Sequence, residues 1–529
     1  MAEIDRTTID RCGVSGLFLM EQAGQCVVNH LLDTLSHEHL QRTAILCGKG
    51  NNGGDGLVLA RLLSQKGYTP HVALLGNADE LKGDARINYS RLLELGIPVH
   101  LCLDDEQVTN FFRFTENSLV WIDALLGIGA RGAPRGTIAT AIAELNQRST
   151  HACLVSIDIP SGIDADTGHV EGVAVFADWV YTLGLPKLGC LLPPGLNHLR
   201  NLVVLDIGFP RDVLLHVDPP ARLLTVREID QWLPKRNPSA HKGSEGHLLI
   251  LAGSKGMTGA ALMSAKAAIQ MGAGLVTAAC PASLLPIYAL GVWEMMTKPV
   301  PETEEGSFSE EAFPDLFPEA SRWKAVVIGP GMGRHPSTQA LIRKVVREVS
   351  LPLVIDGDSL AAVTKEDLHK RPWPWVATPH PGEMAQLFQI PVSEIQADRL
   401  AYAKRLAGCG TGVAVVKGAK TIVAHAKKIP WINPTGSSVM ASGGMGDVLT
   451  GVIGAWLAKG IPAEFAAASG VFLHGLAAEL IAEQTLSEAV TATQVISSLQ
   501  LALHSTRQWS RMGGSGNHLV RKGYEKTPH

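Results

Sequence analysis

The chain has 529 residues, 46% hydrophobic and 18% charged, which argues against disorder and exceeds what one hydrophobic core usually organises. Lys+Arg 46 against Asp+Glu 50 leaves a formal charge of −4, so nothing draws the chain to nucleic acid or to an acidic membrane, and any phosphate ligand must be met locally. Eight cysteines without a C-x-x-C pair argue against zinc and a disulfide framework; the charged N-terminus, MAEIDR, and the lack of an apolar run approaching membrane-spanning length point to a cytoplasmic protein.

In chain order, Ser15 to Leu35 carries apolar residues at helical spacing and predicts an amphipathic packing helix. Thr43–Cys47 reads as a short buried strand, followed by the glycine loop Gly48 to Gly56, a helix ending at Gly67 and a second strand, His71–Leu75. This is a β-α-β crossover of the kind that binds ligands beyond the carboxyl ends of its strands. Two Asn, two Gly and an Asp in that loop exceed what a plain turn requires. Two further strand ends follow: Leu119 to Asp123 with the glycine loop Gly127 to Gly132, and Cys153 to Asp158 with Pro160, Ser161 and Gly162. In a parallel sheet these ends gather on one edge, where Asn52, Asp123 and Ser161 could converge on a hard cation and Asp158 is a candidate acid or base. Each carboxylate taken singly could equally cap a helix or pin a loop.

GNNGGDG, the Asp123 strand with its glycine loop, SIDIPSG and LMEQAG together resemble the N-terminal YjeF domain, the NAD(P)HX epimerase family, over about residues 5–215. The resemblance implies a Rossmann-like parallel-sheet domain. It also implies that Asn51, Asn52, Gly53, Gly54 and Asp55, then Gly127, Ile128, Gly129, Ala130, Arg131 and Gly132, and finally Asp158, contact the hydrated dinucleotide. Asn52, Asp123 and Ser161 would surround a potassium ion.

A connection ending in two prolines, FPRDVLLHVDPP, marks a domain boundary and divides the chain into 1–218, 222–506 and an expected disordered tail, 507–529. The second half repeats short strand candidates at His247–Ala252, Gly274–Ala279, Ala325–Ile328, Leu353–Asp356, Val376–Thr378 and Val413–Val416, mostly at helix-length intervals, predicting a second α/β layer structure. Polar chemistry sits at their carboxyl ends: Gly331 in GPGMG, Asp356 and Asp358, His380 and Glu383 in ATPHPGEM, and Lys417 to Thr421. The last such junction, SGGMGDVLTG, runs from a glycine-dense turn into an apolar helix, with Asp447 at the start. Backbone N–H groups at a helix N-terminus suit phosphate. A carboxylate beside them either caps the helix or takes a proton from an attacking hydroxyl.

GMTGAA, GPGMG, ATPHPGEM, VVKGAKT and SGGMGDVLTG make this half similar to the ribokinase-like superfamily, specifically its NAD(P)HX dehydratase branch, over about residues 225–505. One departure is that the family usually shows alanines at the positions of Gly357 and Ser359. The resemblance implies that Ala260, Gly331, His380 and Asp447 meet the hydrated dinucleotide, and that Lys417, Gly418, Ala419, Lys420, Thr421 and Gly446 meet ADP, a co-substrate for which magnesium is a candidate counter-ion. The expected partners are NADHX or NADPHX and ADP, with no nucleic acid or membrane, in a homo-oligomer. A small-molecule kinase fused to a Rossmann-like domain stays open at this stage, because such folds host many phosphoacceptors, as does a nucleotide sensor without turnover.

Overall fold

The computed structural model describes residues 1–235, 237–318 and 323–512. Two compact units meet in sequence between Asp218 and Pro219.

The first unit is built on a seven-stranded parallel sheet. Its strands are β1 (Thr43–Cys47), β2 (His71–Leu75), β3 (Val99–Cys102), β4 (Val120–Ala124), β5 (Cys153–Ile157), β6 (Ala177–Leu183) and β7 (Leu199–Leu205). They lie in the order β3-β2-β1-β4-β5-β6-β7. Strand order reverses between β1 and β4, so a crevice opens beyond their carboxyl ends. The Val, Ile and Leu side chains of the central strands pack against the helices Gly16–Thr34 and Asn51–Gln65 in one core. Ser15 caps the first of these helices, accepting from Phe18 N at 3.2 Å. A shorter helix, Ala2–Cys12, precedes it and was not apparent from spacing.

One expectation is corrected here. GNNGGDG is mostly not a loop: the helix already begins at Asn51, with Gly50 as its N-cap, so only Gly48 to Gly50 lie between strand and helix. Two glycines in a first turn cost helix propensity, but packing overrides it. A Cβ on Gly53 would fall 1.8 Å from the Gly48 carbonyl oxygen.

The second unit carries a ten-stranded sheet. Its strands are β8 (Arg222–Leu223), β9 (His247–Leu251), β10 (Leu275–Pro281), β11 (Met296–Val300), β12 (Ala325–Ile328), β13 (Leu353–Ile355), β14 (Trp375–Ala377), β15 (Val413–Val416), β16 (Ile422–His425) and β17 (Trp431–Ile432). The order is β11-β10-β9-β12-β13-β14-β15-β16-β17-β8. From β11 to β15 every pairing is parallel, and the switch again falls beside the first long strand, between β9 and β12. β16 then turns antiparallel to β15.

Helix Met445–Ala458 starts from Gly444, whose φ of 87° a side chain would resist, and buries twelve of its fourteen residues. It crosses helix Thr258–Gln270 at Gly451, where a Cβ would sit 2.1 Å from Ser264 O. Ser264 Oγ in turn donates to Asp447 O at 2.8 Å, fixing the depth at which Asp447 emerges.

Two further expectations change. Ala463–Thr485 is long and apolar enough to cross a membrane, but 78% of its most apolar window is buried within the protein. It is a core helix. Helix Ala492–Arg511 takes in residues 507–511, and the rest of the expected tail, 513–529, lies outside the described residues.

Candidate active sites

In the first unit a cavity of about 1180 Å³ opens at the carboxyl ends of β1 and β4. Asn51, Asn52, Asp55, Gly127, Ile128, Gly129, Ala130 and Asp158, all expected from sequence, line it. Gly53 and Gly54 are buried behind that wall. Arg131 and Gly132 are not part of it: Arg131 Nη2 bonds Asp166 Oδ2 at 2.7 Å, and Nη1 lies 3.4 Å from Asp164 Oδ2. Arg135 lines the cavity instead.

Asp158 follows β5 with φ 68°, a left-handed conformation that is uncommon for an aspartate. Its Oδ1 accepts from Leu183 N at 3.0 Å and from the Lys187 ammonium. Asp55 looks into the same cavity. Burial, and then Asp158 and Asp5, push its pKa well above the carboxylate range, with Lys187 opposing.

Beneath the cavity, Asn52, Asp123 and Ser161 do come together, around the backbone of Leu126. Asn52 Nδ2 donates to Leu126 O at 2.9 Å, and Leu126 N donates to Ser161 Oγ at 2.9 Å. Ser161 Oγ donates to Asp123 Oδ1 at 2.5 Å, and Ser156 Oγ and Ser161 N both donate to Oδ2. Burial nevertheless holds Asp123 above its ordinary pKa, against those hydrogen bonds. Among the described residues Asn52 Oδ1 is buried without a hydrogen-bond partner. An orphaned buried oxygen next to a desolvated carboxylate is what a hard cation would satisfy.

In the second unit a cavity of about 330 Å³ brings together Gly331, Asp356, His380 and Lys417, from the carboxyl ends of β12, β13, β14 and β15, with Gly446 and Asp447 from the start of helix Met445–Ala458, which is not a strand end as the sequence suggested. Among the described residues no side chain caps helix Met445–Ala458, so Asp447 does not play the capping role considered for it, and the first-turn N–H groups can meet an anion. Burial first, and then the neighbouring Asp356 charge, raise the Asp447 pKa to about 7, with Lys417 opposing.

Lys417 Nζ lies 2.7 Å from Asp356 Oδ1 and 3.6 Å from Glu383 Oε2. Burial works to lower the pKa of this ammonium, but Asp356 and Glu383 together hold it above its ordinary value. Thr378 Oγ1 completes the network, donating to Asp356 Oδ1 at 2.6 Å. A Cβ on Gly446 would stand 3.4 Å from Lys417 Nζ and 3.6 Å from Asp356 Oδ2, so the helix start lies directly over this pair.

His380 caps helix Pro381–Phe388. Its Nδ1 accepts from Gly382 N at 3.0 Å and Glu383 N at 3.2 Å, which places the ring proton on Nε2. Ala260 stands behind Gly331 and not in the cavity lining. The two lysines of VVKGAKT part company: Lys417 reaches the cavity, whereas Lys420 Nζ donates to Pro434 O at 2.6 Å. Arg399 clamps the loop between them through the carbonyls of Val416, Ala419 and Lys420.

Family models match both units: a YjeF-related N-terminus over residues 16–189 and NAD(P)H-hydrate dehydratase over residues 248–501. A bifunctional NAD(P)H-hydrate repair enzyme from Moorella thermoacetica is 37% identical over 96% of this chain and 96% of its own length. The chain belongs to the bifunctional NAD(P)H-hydrate repair enzyme family. The Escherichia coli member is 34% identical over 94% of this chain and 91% of its own. Among solved structures, a Bacillus subtilis ADP/ATP-dependent NAD(P)H-hydrate dehydratase, co-crystallised with ATP and Mg2+, matches 54% of this chain and 99% of its own, with 30% identity and a TM-score of 0.48.

Within this repair-enzyme chain, motif reading missed several residues that the fold brings to the sites. Lys187 and Asp5 reach the first cavity from segments without a motif. Asp356 and Glu383 were singled out in their loops but given no role, and the structure sets both beside Lys417.

Proposed function

We propose that the first unit interconverts the R and S epimers of hydrated NADH or NADPH, and that the second dehydrates the S epimer at the expense of ADP, releasing phosphate and AMP. The observation that carries this reading is Asp447: a carboxyl with a pKa near 7, unpaired at an anion-ready helix start, in one cavity with Lys417 and His380.

In the second unit Asp447 takes the proton of the ring hydroxyl, and the freed oxygen attacks the terminal phosphorus of ADP, expelling AMP. The N–H groups at Gly443 to Gly446, with Lys417, stabilise charge on the transferring phosphoryl group. The carbon–oxygen bond then breaks, its electrons leaving with phosphate, while the neighbouring ring carbon loses a proton and the reduced nicotinamide double bond is restored. The loop Lys417 to Thr421 meets the nucleotide through Lys417 and its backbone. Magnesium would accompany the nucleotide phosphates, its usual mode of binding.

In the first unit Asp158 assists the loss and return of water at the hydroxyl-bearing carbon, with the nicotinamide ring held by the walls at Asn51 to Asp55 and Gly127 to Ala130. Potassium fits Asn52, Asp123 and Ser161, since Asn52 Oδ1 lacks a partner and Asp123 is desolvated. When bound it would supply positive charge that offsets the buried Asp123 carboxylate.

Incubating the protein with mixed-epimer NADHX, with and without ADP, and following both epimers by chromatography tests the whole scheme. Both epimers should fall with ADP present and merely equilibrate without it. A stable phosphorylated product would instead mark a kinase.

A further inference from the structure

The hydrogen bonds at Asp158 are lopsided. Leu183 N and Lys187 Nζ both donate to Oδ1, and Oδ2 receives no hydrogen bond among the described residues. Lys187 is itself fully committed. An ammonium has three donors, and these go to Asp158 Oδ1, to Thr182 Oγ1 at 3.1 Å and to Leu183 O at 2.9 Å. Lys187 is only 6% exposed although it lines the cavity, so none of its donors is left over for a ligand. Burying a lysine is costly unless its partners are well placed, and an aspartate at φ 68° adds backbone strain. Two unfavourable features kept side by side on a cavity wall point to a task beyond holding β5 and β6 together.

We propose that Lys187 is a positioning residue for epimerisation: by occupying Oδ1 it fixes the Asp158 carboxylate so that Oδ2 alone faces the hydroxyl-bearing carbon of the substrate. The proposal rests on the reading that Asp158 acts in epimerisation. Proton movement balances without any further reactant. In one direction Asp158 Oδ2 takes a proton from the water that adds to the ring cation, and in the reverse direction Oδ2 returns that proton to the departing hydroxyl, which leaves as water. Other titratable groups around this pair are Asp55 on helix Asn51–Gln65, Asp5 on the N-terminal helix, and the Cys190 thiol, which burial keeps neutral. Their presence makes a fixed, directional ion pair more useful than a mobile lysine.

The test uses the full chain without ADP, following R-to-S conversion of NADHX. K187M should lower kcat by about 100-fold, the usual cost of misplacing a catalytic group by about an ångström, while KM stays within about threefold. K187R should recover at least a tenth of the lost rate. T182V, which removes one anchor of the ammonium with little change of shape, should lower kcat several-fold and keeps the test decisive if K187M fails to fold. A K187M enzyme with normal kcat and a raised KM would make Lys187 a ligand contact and overturn the proposal, as would K187R no more active than K187M at an unchanged melting temperature. D158N separates the two levels of the argument: D158N inactive with K187M fully active sinks only the role of Lys187, whereas an active D158N sinks the reading of Asp158 beneath it.

Discussion

The Lys417 ammonium stands 2.7 Å from Asp356 Oδ1, and Asp447 feels both charges with opposite sign. The ionisation of the proposed dehydratase base is therefore set by burial and trimmed by a neighbouring ion pair. Because the proposed base must be deprotonated to act, kcat/KM for dehydration of the S epimer should climb about tenfold per pH unit below about 7 and level off above it. D356N removes the like charge and leaves Lys417 paired with Glu383 alone; both effects favour ionised Asp447, so the acid limb should move to lower pH. A limb moved upward by D356N would show that Asp356 does not act on Asp447 electrostatically.

Separate cavities in separate units imply separable activities. D447N keeps the shape of the side chain but cannot accept the hydroxyl proton. ADP-dependent dehydration should fall by at least about 1,000-fold, within the range lost when a catalytic triad is disabled, while R-to-S exchange in the same sample stays within about twofold of the unmodified protein. Equal loss of both activities would contradict the division of labour.

Much of this arrangement was legible in the chain because its signals are local. SGGMGDVLTG couples dense glycine to an apolar run within a few residues, and the structure accordingly sets Gly444 at φ 87° and begins a helix at Met445. β1, β4 and β5 are short, mostly apolar runs, broken only by Thr43, Asp123 and Ser156, and each is buried from end to end or nearly so. What escaped was decided by distant partners or by weak patterns. β3 is a half-exposed edge strand, and β11 contains a proline, which only an edge tolerates readily. Arg131 and Lys420 sit in promising loops but turn away from the cavities, towards Asp164 and Asp166 in one case and Pro434 in the other. Side-chain direction at such positions depends on segments tens of residues further along or, for Lys420, on the β16–β17 return, and spacing within a motif carries no record of it.

The orphaned Asn52 Oδ1 makes the cation reading measurable. Epimerisation should accelerate as potassium replaces a bulky organic cation at constant ionic strength. N52A, which deletes that oxygen, should flatten the response, and thermal stability should lose its potassium dependence together with it, because a ligand bound only by the folded state stabilises that state. Full potassium activation in N52A would remove Asn52 from the ligand set.

Asp55 offers a test through stability, which needs no substrate. Its pKa lies well above the ordinary carboxylate value in the folded protein, chiefly through burial. Between the unfolded value near 3.8 and the higher folded one, the native state binds more protons than the unfolded chain, so the contribution of Asp55 to stability is greatest in acid and is lost as pH rises through that window. Asn at this position has no proton to lose. D55N should therefore melt progressively higher than the unmodified protein as pH is raised from 4 to 8, by roughly 2–4 °C for each kcal/mol recovered in a unit of this size. The gain should stop growing once pH passes the folded pKa. A difference that is constant across the range, or that shrinks with rising pH, would mean that the carboxyl is not desolvated at the cavity wall as the structure places it.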